Sequence, residues 1–253
     1  MIRRLAAVLL ILACLPAAAE EVVLGLSQNS ISIDTTFSGS QILLFGAIKR
    51  EEAIPLDQLG VVVAIAGPSQ PLDVRRKERR FGIWVNVDTV EVDSAPSFYA
   101  VATSGPWSHV LSQVEDLRHK ISIPRAIRSV GAPSSVEDAQ AFTDAVIRIR
   151  TRSGAYQMRE GAVELSEQTL FRTSIDLPSN LTEGDYATRI FLTRNGNVVS
   201  QYETVIDVRK VGMERWLFEL SREQAVIYGL MSLAIAIFAG WGASAMFGLL
   251  RRG

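Results

Sequence analysis

Apolar and polar positions alternate from Val22 onward: Val22, Leu24 and Leu26, then Ile31, Ile33, Thr35 and Phe37 set against Ser30, Ser32, Asp34 and Thr36. Successive side chains of a strand point to opposite faces, so a period of two predicts half-buried strands. Gln41 to Ala47 and Val61 to Ala66 are continuous apolar runs that fit a sandwich interior, and Gly67-Pro68 ends the second. Further strands are expected at Leu72 to Arg76, Ile83 to Val92 and Ser97 to Thr103. In Ile83–Val92 the apolar face switches from Ile83, Val85 and Val87 to Val90 and Val92, which predicts a bulge near Asp88.

After Gly105-Pro106 the period lengthens. Trp107, Val110, Leu111, Val114 and Leu117 recur every three or four residues and predict a short amphipathic helix. A second helix is marked by the capping box Ser134 with Glu137 and by the stripe Val136, Ala139, Phe142, Val146 and Ile149, with Gly154 beyond its end. Ile121 to Pro133 reads as a loop. Alternation then returns, with Phe171, Thr173, Ile175 and Leu177 facing in, followed by Tyr186, Thr188, Ile190 and Leu192. Asn195-Gly196 predicts the tight turn of a hairpin whose returning strand is Val198 to Val208.

The two ends follow a different logic. Ala225 to Leu250 carries no charge over 26 residues, a helix of about 39 Å against a hydrocarbon core of roughly 30 Å. At the other end, Arg3-Arg4, the short apolar run Leu5 to Leu15 and Ala17-Ala18-Ala19 describe a secretory signal cleaved after Ala19. Ile11-Leu12-Ala13-Cys14 leaves lipidation of Cys14 as an alternative. With cleavage after Ala19 the only cysteine departs, and stability rests on a buried core rather than disulfides. Arg251-Arg252 favours a cytoplasmic C-terminus.

Setting aside Arg3, Arg4, Arg251 and Arg252 leaves 22 of the 26 cations against 27 acidic groups, a net charge of about −5 that disfavours general nucleic-acid binding. The two histidines, His109 and His119, lie ten residues apart and offer no metal-ligand spacing. Calcium loops, phosphate loops, dinucleotide fingerprints and nucleophile elbows do not occur. The reading is therefore of a protein without enzymatic activity, metal or cofactor.

Against that acidic background, Arg75, Arg76, Lys77, Arg79 and Arg80 place five cations within six residues, running into Phe81-Gly82-Ile83-Trp84-Val85-Asn86. One reading is a solvated strand edge or hairpin turn, where charge blocks unwanted pairing. The other is a site for an oxyanion, a partner or lipid headgroups, because guanidinium forks match sulfur and phosphorus oxyanions. Trp84 and Asn86 join the five cations as candidates for it. An alternating strand nonetheless places Trp84, with Phe98 and Tyr99, in the core by default.

In the apolar tail, Ser232, Ala236, Gly240, Ser244 and Gly248 recur at steps of four. Small residues so spaced form a close-packing face that drifts by about 40° per step. Just before it, Trp216, Leu217, Phe218 and Leu220 mixed with charges predict a helix at the membrane surface.

Arg75-Arg76-Lys77-Glu78-Arg79, Gly82-Ile83-Trp84-Val85-Asn86, Pro96-Ser97-Phe98-Tyr99, Leu177-Pro178 with Gly184-Asp185-Tyr186, and Tyr228-Gly229 resemble the uncharacterised alphaproteobacterial single-span transmembrane protein family over nearly the whole chain. That resemblance implies a signal peptide, a periplasmic domain, a C-terminal span and genes beside sulfite-exporter-type permeases, with no catalytic residues to carry over.

The expected architecture is mainly β: an immunoglobulin-like β-sandwich with two short amphipathic helices and one C-terminal transmembrane helix. Its segments are a signal peptide (1–19), a β-sandwich region (20–104), a helical insert (105–154), a second β-rich half (155–209), a juxtamembrane helix (210–224), the span (225–250) and a cytoplasmic tail (251–253). The expected role is a periplasmic accessory or assembly subunit of an inner-membrane transporter, with a sulfite or organosulfur-anion exporter as the implied permease. The alternative is a self-associating structural or sensing protein of the envelope, whose span makes a homodimer.

Overall fold

The computed structural model describes residues 21–27, 30–33, 37–50, 57–129, 138–211 and 220–250. The strands in chain order are β1 (Glu21–Leu26), β2 (Ser30–Ile33), β3 (Ser40–Lys49), β4 (Leu59–Ala66), β5 (Ser69–Arg80), β6 (Ile83–Pro96), β7 (Tyr99–Thr103), β8 (Tyr156–Arg159), β9 (Glu164–Ser166), β10 (Leu170–Leu177), β11 (Gly184–Arg194) and β12 (Asn197–Lys210). The helices are α1 (Trp107–Val110), α2 (Gln113–His119), α3 (Ile123–Ala126), α4 (Ala139–Arg152) and α5 (Ala225–Leu250). The protein is mainly β, with several sheets and one long apolar helix at its C-terminal end. Two compact units form, one of Met1–Ile31 with Phe37–Val208, the other of Ser32–Thr36 with Arg209–Gly253.

β4 sits inside a six-stranded sheet ordered β2-β12-β11-β4-β7-β8, and it is buried on both faces. Its uninterrupted Val61 to Ile65 run follows from that position, because neither face meets water. On one side Val62 and Ala64 join Val101, Tyr99, Phe191 and Tyr156 of β8 in a cluster with Val110, Leu111, Ile121 and Val146 from the helices and their loops. On the other, Val61, Val63, Ile65, Ile190 and Leu192 are fully enclosed. The second sheet, β1-β3-β10-β9, lies toward that side: β10 approaches β7, and Arg159 and Gln157 of β8 bond the Ser174 and Asp176 carbonyls of β10 at 3.1 and 2.9 Å.

β3 departs from the expectation of an interior strand. Ile42, Leu44, Gly46 and Ile48 are buried, but Leu43 and Phe45 are 44 % and 46 % exposed. One face of this sheet is simply an outer surface, where Phe45 lies over its cross-strand partner Gly25. On the inner face, Phe171 sits over its partner Gly46, where a β-carbon would meet the ring at 2.5 Å.

Segments 20–104 and 155–209 share both sheets. β10 pairs with β3, and β11 pairs with β4 in an antiparallel register from Ala187↔Ala66 to Arg194↔Leu59. The returning half is therefore hydrogen-bonded into the first half rather than packed against it as a separate layer. β11 turns into β12 at Asn195-Gly196, both with positive φ (49° and 79°), as a two-residue hairpin turn of the primed type requires.

The predicted first helix is broken. Leu111 and Ser112 are extended, Ser112 N–H donates to Gly196 O at 2.8 Å, and the Ser112 hydroxyl caps α2 by accepting from Glu115 N at 3.3 Å. The break rotates the stripe, so Val110 and Leu111 are buried while Val114 and Leu117 face outward. In α4, Phe142 and Val146 are buried as expected but Ile149 is exposed. Asp138 caps α4 through Ala141 N at 3.3 Å. The expected Ser134–Glu137 box lies outside the described residues, as do 1–19, Trp216 to Phe218 and 251–253.

In the second unit, Val211 N–H donates to Ile33 O at 2.8 Å. Helix α5 follows, and the residues of its Ala225–Gly242 window are unburied, in keeping with the length and composition of a membrane span.

Candidate functional site

β5 and β6 form a long two-stranded hairpin whose far half leaves the body of the first unit. Its base is firmly held. Arg150 of α4 donates to the carbonyl oxygens of Pro96 and Ser97 at 2.9 and 2.7 Å, and the Tyr156 hydroxyl donates to Pro96 O at 2.8 Å. Ser94 and Arg128 exchange backbone hydrogen bonds of 3.1 and 2.9 Å, fastening the loop after α3 to β6. Inward-leaning, half-buried Leu72 and Val74 pack against the core cluster, and Arg76 lies over the Phe142 ring at 4.6 Å.

Burial at this base shifts the tyrosines. It pushes the Tyr156 phenol up to about 12 against the opposing Arg150 guanidinium. Tyr99, whose hydroxyl donates to Ile121 O at 2.7 Å, is raised by burial against the pull of Arg189, and burial raises Tyr186 as well.

Beyond Arg76 every residue of β5 is exposed. The turn is Phe81-Gly82, both with positive φ (51° and 85°). Phe81 is completely exposed, and Ile83 and Trp84 are 65 % and 68 % exposed. This corrects the default placement of Trp84 in the core, whereas Phe98 and Tyr99 are buried there. The strand alternates as the sequence predicts, but past Arg76 both faces of β5 are exposed among the described residues. The bulge near Asp88 is present: Arg76 pairs with Asp88 and Lys77 with Asn86, leaving Val87 as the extra residue.

The register sorts the basic run into two faces, because directly opposed residues of an antiparallel pair share a face. On one face Arg76 approaches Asp88 at 3.8 Å and Arg80 pairs with Glu78 at 3.3 Å, next to Ile83 and Val85. On the other face stand Arg75, Lys77 and Arg79, with Asn86 opposite Lys77 and Trp84 opposite Arg79. Arg75 and Lys77 have no hydrogen-bond or ion-pair partner among the described residues. Arg79 reaches only the turn carbonyl of Gly82, at 3.4 Å.

Five of the seven candidates thus line one flat stripe: Arg75, Lys77, Arg79, Trp84 and Asn86. Arg76 and Arg80 are drawn to the other face, where carboxylates offset them. The stripe has no walls, so it does not enclose a small oxyanion as a pocket would. What it offers is a basic and aromatic surface on a projecting arm, with Asp73 and Glu91 one rung below Arg75 on the same face. The spacing of charges along the sequence already contained this separation, but only the bulge position fixes which residues face together.

Of the small-residue stripe, Ser232, Ala236 and Gly240 lie within the span window, and a β-carbon on Gly240 would meet nothing within 4 Å. Ser244 and Gly248 continue the helix, with side chains outside the described set.

The sequence profile of the family described as "Putative transmembrane protein (Alph_Pro_TM)" matches residues 21–248. The chain belongs to this family. The match takes in the whole β domain and almost all of α5, so the hairpin and the span are both parts of what the family profile covers. No curated protein shows significant similarity to the chain.

Proposed function

We propose that this member of the family is a non-enzymatic accessory or assembly subunit of an inner-membrane transporter. Its β domain stands on the periplasmic side, its C-terminus is cytoplasmic, and α5 docks on the permease through Ser232, Ala236, Gly240, Ser244 and Gly248. The observation that carries the reading is α5 itself: 26 uncharged residues, unburied over the described window, with open space over Gly229, Gly240 and Gly242. Small residues let another helix backbone approach closely, and in lipid such packing replaces the hydrophobic drive. In this reading the permease is an exporter of sulfite or organosulfur anions.

Purification of the intact protein in mild detergent after crosslinking tests this. A co-purifying permease that is lost with Gly240→Leu and Ser244→Leu supports it. A dimer of the chain alone, lost with the same substitutions, transfers the role to a self-associating envelope protein.

A further inference from the structure

We propose that the tip of the β5–β6 hairpin is a second membrane anchor, which enters the headgroup region of an anionic bilayer, the same membrane that holds α5. The proposal rests on the chain being a membrane protein, and it does not depend on a permease.

Three observations converge on a lipid surface. The first is the composition and exposure of the apex. Phe81, Ile83 and Trp84 are apolar, lie within four consecutive residues and are strongly exposed, Phe81 and Trp84 more than any other large hydrophobic among the described residues of the β domain and Ile83 as much as Val114. Membrane-interface segments use aromatic and aliphatic residues in this way, because ring bodies sit at the acyl boundary while polar atoms stay wet.

The second is charge. Immediately behind the apex, Arg75, Lys77 and Arg79 stand on one face without carboxylate partners among the described residues, at steps of about 7 Å along the strand. A ladder so spaced matches a plane of phosphates better than one ion. The rest of the chain outside the span is net acidic, so the cations are concentrated where the apolar tip is. Insertion by two rungs of the hairpin, about 7 Å, would bring Arg79 and Trp84 to headgroup level, within the depth that interfacial segments reach.

The third is reach. The covalent link from β12 to α5, residues 211–224, spans about 50 Å even when fully drawn out. The domain is therefore never far from lipid, and the high local concentration makes a weak surface contact effective.

A rigid base gives such a tip its use. Arg150, Tyr156 and the Ser94–Arg128 bridge fix the root of the hairpin, so contact at the apex would restrict how the whole domain can turn about its tether.

The test uses the full-length protein with Cys14 replaced by Ser and Phe81→Cys labelled with an environment-sensitive fluorophore. It is reconstituted alone into vesicles of phosphatidylcholine, with or without phosphatidylglycerol. A control carries the label at Ile149→Cys, an exposed position on α4. In vesicles with phosphatidylglycerol, position 81 is expected to shift its emission to the blue and to be quenched by lipid-borne nitroxides at least threefold more than position 149. Arg75→Glu, Lys77→Glu and Arg79→Glu together should remove that difference without changing the melting temperature. Equal quenching at 81 and 149, equal quenching with and without phosphatidylglycerol, or protection of position 81 from both lipid nitroxide and aqueous iodide would each overturn the proposal. The last outcome would assign the tip to a contact between copies of the chain. Because no permease is present, failure here is distinct from failure to find a transporter partner.

Discussion

The guanidinium of Arg76 lies 4.6 Å from the centre of the Phe142 ring, and this stack is the outermost brace between the β5–β6 hairpin and helix α4. Inward of it the hairpin is part of the core; outward of it the hairpin stands in solvent. Phe142→Ala should cost the domain about 3–5 kcal/mol, since it empties a buried aromatic site. Arg76→Ala should cost only about 0.5–1 kcal/mol, the scale of an exposed cation–π contact. Denaturant midpoints would measure both. Amide exchange should rise along 77–85 in either variant, and equal losses from the two would show that the stack is not the boundary.

Two of the domain's hairpin turns, each two residues long, differ by one residue. Asn195-Gly196 uses the pair best suited to two positive φ values, whereas Phe81-Gly82 puts a bulky ring at φ 51°. Left-handed backbone costs an ordinary side chain about 1–2 kcal/mol, and Asn tolerates it better. Phe81→Asn is therefore expected to stabilise the hairpin by about 1 kcal/mol while weakening its hold on lipid vesicles. A lower melting temperature would contradict the strain at this turn.

Alkaline pH should loosen the domain through its buried phenols. In the unfolded chain a tyrosine releases its proton near 10. In the folded protein Tyr156 holds it to about 12, and Tyr99 and Tyr186 are raised in the same direction. The raised value means the folded state binds protons that the unfolded state has lost, so this contribution is complete below pH 10 and is lost as pH rises toward 12. The Tyr156 phenol steepens the fall by at most about 1.4 kcal/mol per pH unit. Melting curves between pH 9 and 12, at about one-unit steps, should show a shallower decline for Tyr156→Phe than for the parent.

On the inner face of the four-stranded sheet, Gly46 is required by its neighbour. A β-carbon there would meet the Phe171 ring at 2.5 Å and the Val23 carbonyl oxygen at 2.9 Å. Gly46→Val should destabilise by about 1–3 kcal/mol through overpacking, measurable in the same denaturant titration. Recovery with Gly46→Val plus Phe171→Leu would locate the clash in that pair.

Strand periodicity was legible wherever a strand has one buried face. Phe171, Thr173, Ile175 and Leu177 all face inward, as do Tyr186, Thr188, Ile190 and Leu192. The Asn195-Gly196 turn and the bulge beside Asp88 were legible too, because each is a local backbone requirement written into adjacent residues. What periodicity does not encode is whether anything lies opposite a face. Trp84 alternates correctly on a strand that has left the domain, and Phe45 alternates correctly onto an open surface. The break at Leu111-Ser112 escaped for another reason: Ser112 is fixed by Gly196, far along the chain, and helical spacing alone carries no trace of that bond.

Strand order has a consequence for how the chain can be made. In the larger sheet the last two strands, β11 and β12, sit between β2 and β4, which are synthesised first. Until residue 210 has emerged, the early strands must wait with bare edges, the condition that most invites aggregation. Completion of the sheet then comes just before arrival of the greasy tail, so a ribosome that stalls before β11 leaves β2 and the β4-β7-β8 strands with open edges and without α5. Holdase chaperones, not the sequence itself, would have to guard that interval.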